Sequence, residues 1–75
     1  MAKEIKTEEQ LRFDRSLGKR IHQRIKRGDI TLLAKKMGIS AVMIHKYLSG
    51  EYSINAFRLW QLLHFLNIPS EDIFL

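Results

Sequence analysis

Residues 33–50 read LAKKMGISAVMIHKYLSG, and this stretch decides the fold. Its apolar residues recur three and four positions apart, the spacing of helices that are buried on one side: Leu33, Ala34, Met37, Ile44 and Leu48. Gly38 interrupts the pattern and suits the positive φ of a tight turn. Ser40 can then cap a new helix with its hydroxyl. The stretch therefore predicts two short helices joined by a turn near residues 38–40, the second of them covering 40–49.

A longer helix is predicted upstream of this pair. Thr7 and Gln10 have the spacing of a capping box, in which each side chain bonds the backbone of the other. Apolar residues follow at four-residue intervals and should face inward: Phe13, Leu17, Ile21 and Ile25. Gly28 should end this helix, and Asp29 should cap the next one. Gly18 lies inside the pattern, where it either allows close helix packing or marks a kink.

Two further helices are predicted downstream. Ser53 or Asn55 can cap a fourth helix that runs to about Asn67, and Pro69 prevents its continuation. Ser70 can start a last helical turn, which carries three apolar residues: Ile73, Phe74 and Leu75. No alternation of polar and apolar residues is long enough to indicate a strand. The chain is therefore predicted to be all-α, a compact bundle of about five helices.

Length and composition favour one folded domain. A chain of 75 residues has material for a single core, expected over residues 8–75 after a mobile tail at 1–7. Hydrophobic residues make up 45% of the sequence, which is above the range of disordered chains. No apolar run approaches the roughly 18 residues of a membrane span, and the N-terminus shows no secretory pattern. Since cysteine is also absent, we expect a cytoplasmic protein without disulfides and without membrane contact.

Positive charge is concentrated in one part of the sequence. The formal net charge is +5, and residues 15–50 contain nine lysines and arginines against one acid, Asp29. A field of this sign attracts polyanions such as DNA, RNA or an anionic membrane surface. A solvated basic face that only aids solubility fits the charge equally well, so a more specific pattern has to decide.

Catalytic and metal sites are not indicated. His22, His45 and His64 fall on three separate predicted helices, with no carboxylate or cysteine at ligand spacing. The sequence also lacks paired carboxylates, a nucleophile triad and a glycine-rich phosphate loop. We therefore expect no enzyme activity, no metal, no cofactor and no small-molecule ligand.

Several strings resemble the Xre-like regulators, a family that includes phage repressors and Cro proteins. The resemblance covers about residues 17–74 and is carried by LGKRI at 17–21, LAKKMGIS at 33–40, IHKYLSG at 44–50 and the segment 62–73. It implies a lambda-repressor-like bundle that binds operator DNA, usually as a symmetric dimer, and regulates transcription. A protein of this kind would associate with the nucleoid when bound to DNA.

The resemblance also implies which residues contact DNA. Family members read bases with the start and the outer face of the third helix, which here are Ser40, Ala41, Val42, His45 and Lys46. Lys46 can reach guanine acceptors, whereas Ala41 and Val42 can touch only thymine methyl groups. Phosphate contacts are expected from five further residues: Arg20, Ile30, Lys36, Ser49 and Tyr52.

The fourth helix carries too many apolar residues for a single inward stripe. A homodimer through the end of this helix and the C-terminal segment is therefore expected, with five interface residues: Trp60, Phe65, Ile73, Phe74 and Leu75. A twofold dimer would hold its recognition helices about 34 Å apart and would select an inverted-repeat operator.

Two alternatives remain open on the sequence alone. The same fold could serve as a protein-interaction module, with an apolar patch made of Ile30, Ala41 and Val42. A general RNA-binding or nucleoid role is the other alternative, and it would be favoured by an affinity that is indifferent to sequence.

Overall fold

A computed structural model describes residues 6–74 of the chain. It contains five helices: α1 Glu8–His22, α2 Asp29–Met37, α3 Ala41–Ser49, α4 Ala56–Leu66 and α5 Glu71–Phe74. No strand occurs within these residues, so the prediction of an all-α bundle of five helices is confirmed.

Three helices begin at the caps that the sequence predicts. Each cap oxygen accepts a hydrogen bond from the backbone N–H three residues further on: Thr7 Oγ1 from Gln10 at 3.1 Å, Ser40 Oγ from Met43 at 3.1 Å and Asn55 Oδ1 from Arg58 at 2.8 Å. Asn55, and not Ser53, therefore caps α4. The capping box at Thr7 is only half formed, because the Gln10 amide donates to Asp14 instead of reaching back.

Two predicted boundaries between α1 and α2 are wrong. The first helix ends at His22 rather than at Gly28, because two i to i−3 backbone bonds of 2.9 and 3.0 Å tighten the chain there. This turn lets Ile25 pack against the core from outside the helix. Gly28 itself is the N-cap of α2, and the Asp29 carboxylate accepts from the Lys26 N–H upstream at 2.7 Å.

The buried face of α1 differs from the predicted stripe. It consists of Asp14, Leu17, Gly18 and Ile21, at positions i, i+3, i+4 and i+7. Phe13 was expected to face inward, but its side chain is 51% exposed. It lines an open groove beside Phe74, while the neighbouring position on the inner face is taken by Asp14. A polar group with several hydrogen-bond partners replaces the aromatic ring at this point of the interior.

The core lies where α1, α3 and α4 meet. Each of these helices contributes one fully enclosed side chain, namely Ile21, Ile44 and Leu62. Leu33 and Met37 close the core from α2, and Ile73 closes it from α5. Burial of this many aliphatic side chains is the main stabilising contribution available to so short a chain.

Two glycines bring α1 and α3 into backbone contact. A Cβ atom on Gly18 would lie 2.2 Å from the Leu48 carbonyl oxygen. A Cβ atom on Gly50, which follows α3, would lie 2.7 Å from Cγ of Arg15. Of the two roles open to Gly18 in the sequence, the structure therefore shows close helix packing. This contact fixes where α3 sits on the rest of the bundle.

Candidate functional site

The turn between α2 and α3 makes α3 a separate helix. Gly38 ends α2 with a φ of 68°, the left-handed conformation predicted for it. The next residue, Ile39, donates its backbone N–H to the Ala34 carbonyl at 3.1 Å and packs against the core. The chain then changes direction, and α3 starts at Ala41 under the Ser40 cap.

The outer face of α3 is open to solvent. Ile44, Tyr47 and Leu48 form its buried side. The five residues predicted to contact bases all lie at its start or on its outer side: Ser40, Ala41, Val42 and His45 are exposed, and Lys46 is half-buried. The structure therefore brings this set together on one surface.

Lys46 is held against the loop that follows α3. Its ammonium lies 4.9 Å from the centre of the Tyr52 ring and donates to the Tyr52 hydroxyl at 3.4 Å. The Tyr52 N–H in turn donates to the Lys46 carbonyl at 3.2 Å. Ser49, between them, uses its hydroxyl to donate to the same carbonyl. Three residues of the predicted DNA-contacting set thus form one connected group.

The N-terminus of α2 presents unpaired backbone donors. Gly28 has no side chain with which to cap it, and the N–H groups of Ile30 and Thr31 have no acceptor among residues 6–74. The Ile30 side chain is half-buried and packs against the core. Its expected phosphate contact therefore depends on its backbone N–H, since helix N-termini favour anions.

The lysines of α2 and α3 keep their charge uncompensated. Within residues 6–74, the ion pairs join Lys6 to Asp14, Arg12 to Glu8 and Arg24 to Asp72, all outside these two helices. Lys36 instead lies over the Phe65 ring, 5.5 Å from its centre. The surface around the turn therefore carries three lysines without an ion pair in the described chain, and Asp29 at the start of α2 is the one acid of the two helices.

Arg20, predicted to contact a phosphate, has a partner inside the protein. Its guanidinium donates to the Ile73 carbonyl at 2.6 Å, which ties α5 to α1. The structure therefore gives Arg20 a role in holding the C-terminal helix.

A buried carboxylate that the sequence analysis missed anchors the far end of α3. Asp14 is 3% exposed and accepts from Lys6 at 2.8 Å, from Gln10 at 3.0 Å and from Ser53 at 2.6 Å. Lys6 also donates to the carbonyl oxygens of Gly50 and Glu51, both at 3.0 Å. Lys6 belongs to the segment predicted as a mobile tail, of which residues 1–5 lie outside the described part.

Asp14 is ionised at neutral pH despite its burial. Burial by itself would raise the pKa of this carboxyl, but the hydrogen bonds from Lys6, Ser53 and Gln10, together with the Lys6 charge, lower it below its usual value. The spacing of Asp14, Leu17 and Ile21 at i, i+3 and i+7 was the available sequence signal, since it places an acid in line with the core.

The residues predicted for a dimer interface do not form one set. Trp60 and Phe74 are 57% and 53% exposed, and Phe65 is half-buried. Ile73 is only 3% exposed because it completes the monomer core, so its assignment to an interface is corrected. Leu75 lies outside the described residues.

Trp60 is the centre of an aromatic row on α4. Its ring stacks on His64 at 4.9 Å between centroids and on Phe57 at 6.2 Å, with interplanar angles of 7° and 16°. Phe57 is 62% exposed. Phe57 and His64 are not among the five expected interface residues, although positions 57, 60 and 64 have the spacing of one helix face.

The apolar patch of the protein-interaction alternative is incomplete. Val42 is 62% exposed and Ala41 is exposed, but Ile30 packs against the core. Of the three residues expected to form this patch, only Ala41 and Val42 on α3 are exposed.

Neither a metal site nor a membrane-spanning helix is found within residues 6–74. No three histidine, cysteine, aspartate or glutamate side chains of residues 6–74 come together as ligands for a metal ion. None of the helices in this part of the chain has the length and apolar character needed to cross a bilayer.

Comparison with known proteins identifies one family. The family model described as helix-turn-helix matches residues 21–73, from the end of α1 into α5. No curated protein and no solved structure matches the chain.

Proposed function

The chain belongs to the helix-turn-helix family of Xre, Cro and phage-repressor domains, and from this premise we propose that it is a sequence-specific repressor acting at an inverted-repeat operator. Membership makes it a DNA-binding regulatory domain. Beyond family membership, we propose three things: an inverted-repeat operator, repression of transcription and binding as a dimer.

The observation that carries the proposal is the outer face of α3. It is exposed, it lies beside lysines without ion pairs, and it is separated from α2 by a fixed turn. A helix held outward in this way fits the roughly 12 Å width of the major groove. The cationic surface around it supplies the attraction to phosphates that is independent of sequence.

Base reading is assigned to five side chains of this face. Lys46 donates to guanine O6 or N7, and Ser40 and His45 supply the other polar contacts. Ala41 and Val42 pack on thymine methyl groups, since neither has a hydrogen-bonding side chain. The expected site therefore contains both a guanine and thymines in each half.

Phosphate contacts position α3 in the groove. The unpaired N–H groups at the start of α2 bind one phosphate, and Lys36 on the same helix adds a positive charge. Ser49 lies at the other end of α3 and approaches the backbone there. Repression follows from occupancy, since a dimer covering two successive major grooves excludes other proteins from the same DNA.

Selection of bound sequences from a random duplex pool tests the proposal. We expect enrichment of an inverted repeat whose half-sites are about 10 to 10.5 base pairs apart. An enriched site near a promoter should also block transcription in a reconstituted assay. If no sequence is enriched and affinity depends only on salt, the protein is a general nucleic-acid binder and the proposal is wrong.

Three single substitutions separate base reading from phosphate contact. Lys46→Ala should relax selectivity at one base pair, by about 1–3 kcal/mol. Lys36→Ala should weaken all sequences alike and reduce the salt slope by about one. Arg12→Ala is the matched control, because it removes one positive charge from an ion pair on α1. An equal loss for Arg12→Ala and Lys36→Ala would contradict a specific phosphate contact.

A further inference from the structure

We propose that Tyr52 is a positioning residue, which holds the Lys46 ammonium in the orientation that reads a base. This inference rests on the proposed function. It concerns the contact between Lys46 and a base, which is the most specific contact of that function. Tyr52 itself then acts through Lys46 rather than by binding a phosphate.

The Lys46 side chain is oriented by two features of Tyr52. The ammonium lies 4.9 Å from the ring centre and 3.4 Å from the hydroxyl oxygen, so it sits towards the hydroxyl edge of the ring. A lysine on a free helix surface would sample many rotamers, and ordering it on the DNA would oppose binding. Contact with the ring restricts those rotamers before DNA arrives.

Tyr52 is rigid enough to serve this purpose. Its backbone N–H is bonded to the Lys46 carbonyl at 3.2 Å, which fixes the loop against the end of α3. Its ring meets that of Tyr47 edge-on, with centroids 6.5 Å apart and planes at 72°. Tyr47 is only 8% exposed and belongs to the buried side of α3. The ring that holds Lys46 is therefore anchored on the core.

A ring differs from a carboxylate as a partner for a DNA-reading lysine. A carboxylate would neutralise the ammonium and repel the DNA, and the ion pair would have to break before a base could be bound. An aromatic ring attracts the cation without cancelling its charge. One donor of the ammonium is used by the Tyr52 hydroxyl, which leaves two for guanine O6 and N7.

Lys36 shows the same arrangement on α2. Its ammonium lies over the Phe65 ring at 5.5 Å, again without a carboxylate partner in the described chain. Lys36 and Lys46 thus have aromatic partners, while Lys35, the third lysine of α2 and α3, has no ring contact or ion pair within residues 6–74.

A double-mutant cycle between Tyr52 and Lys46 tests the proposal on the selected operator. Tyr52→Leu should reduce affinity about two- to five-fold, the equilibrium equivalent of an exposed cation–π contact. Discrimination at the base pair read by Lys46 should fall by the same factor. Tyr52→Phe keeps the ring and should stay within about two-fold of the wild type, because the hydroxyl contact is long. In a Lys46→Ala background, Tyr52→Leu should have no further effect.

A direct phosphate contact by Tyr52 predicts different results. Tyr52→Phe would then lose as much affinity as Tyr52→Leu, the loss would be uniform across sequences, and the two substitutions would be additive. Any of these outcomes overturns the positioning role while operator binding stands. An increase in affinity for Tyr52→Leu would also overturn it, since the ring would then compete with DNA for Lys46.

Nuclear magnetic resonance of the free protein supplies a readout that does not involve DNA. The Lys46 Hε protons should be shifted upfield by the ring in the wild type and in Tyr52→Phe, and the shift should disappear in Tyr52→Leu. Absence of the shift in the wild type would overturn the contact itself. Urea unfolding of each variant shows whether the variant still folds. The proposed function is tested separately by the operator selection, and it is wrong if that selection enriches no sequence.

Discussion

At the scale of single residues, Gly18 has the most restrictive surroundings of the four glycines. A methyl group there would lie 2.2 Å from the Leu48 carbonyl oxygen and 2.9 Å from that of Tyr47. Both are backbone atoms of α3, so neither can yield without moving the helix. We expect Gly18→Ala to lower the free energy of unfolding by about 3 kcal/mol, despite alanine's better helix propensity.

Gly28→Ala is the matched control for this prediction. The same methyl group added at Gly28 meets no atom within 4 Å, and its only strain comes from a φ of 89°. That strain should cost about 1 kcal/mol. Urea unfolding followed by circular dichroism compares the two, and a loss at Gly18 no larger than at Gly28 would show that the helices adjust their spacing freely.

Single residues also show which features of the fold could be predicted from the sequence and which could not. The caps at Ser40 and Asn55 and the turn at Gly38 were predictable because each depends on chemistry within four residues of sequence. The exposure of Phe13 and the burial of Asp14 had only the helical spacing of Asp14 with Leu17 and Ile21 as a signal, because they depend on partners that the chain brings from residues 6 and 53. Local patterns predict where helices start and stop, while the rotation of each helix is decided by distant contacts.

At the scale of elements, the Asp14 cluster joins three parts of the chain. It links the segment before α1, α1 itself and the loop between α3 and α4, and so fixes the C-terminal end of α3. The turn at Gly38 fixes the other end. The outer face of α3 could be predicted from periodicity, because its apolar positions must face α1. The hydrogen bonds of Lys6 and Asp14 behind α3 could not be predicted, since no short motif connects Lys6 to Gly50.

This cluster makes part of the stability dependent on pH. Because the pKa of Asp14 is lowered on folding, its contribution is fully present above about pH 4, where the unfolded carboxyl is ionised. The contribution is lost as the pH falls through the lower pKa of the folded state. Asp14→Asn should destabilise the protein by about 2 kcal/mol at pH 7, and the difference from the wild type should shrink below pH 4.

Urea unfolding at several pH values between about 7 and 2.5 measures this difference. Circular dichroism is the suitable probe, since Trp60 is 57% exposed and reports weakly on the core. Taking the difference in the free energy of unfolding between variant and wild type removes the contributions of the other carboxylates, including that of Asp72 with its Arg24 partner. If this difference in the free energy of unfolding stays constant with pH, Asp14 stabilises the fold through packing and not through its charge.

At the scale of the whole molecule, two of the exposed aromatic rings, Phe57 and Trp60, share α4 with a single cation. Copies with a net charge of +5 repel each other. The only lysine or arginine on α4 is Arg58, whose guanidinium is bonded to the Met37 carbonyl and to Gln61. A second copy that packs on the row of Phe57, Trp60 and His64 therefore meets no unbonded lysine or arginine of α4.

Loss of the central ring of this row should abolish the dimer. Trp60→Ala removes a large exposed side chain, and a well-packed interface tryptophan contributes about 2 kcal/mol or more per copy, which twofold symmetry doubles. Sedimentation velocity at tens of micromolar should show a dimer for the wild type and a monomer for the variant. Affinity for the inverted repeat should fall by at least about ten-fold, while affinity for an isolated half-site stays unchanged.

Val42→Ala separates this effect from DNA contact. Val42 is 62% exposed, comparable with Trp60, but it lies on the outer face of α3. The variant should remain a dimer and should lose affinity for the half-site and for the full operator by the same factor, counted per half-site. If Trp60→Ala instead sediments as a dimer, the interface lies elsewhere, and the groove that Phe13 and Phe74 line becomes the surface to test next.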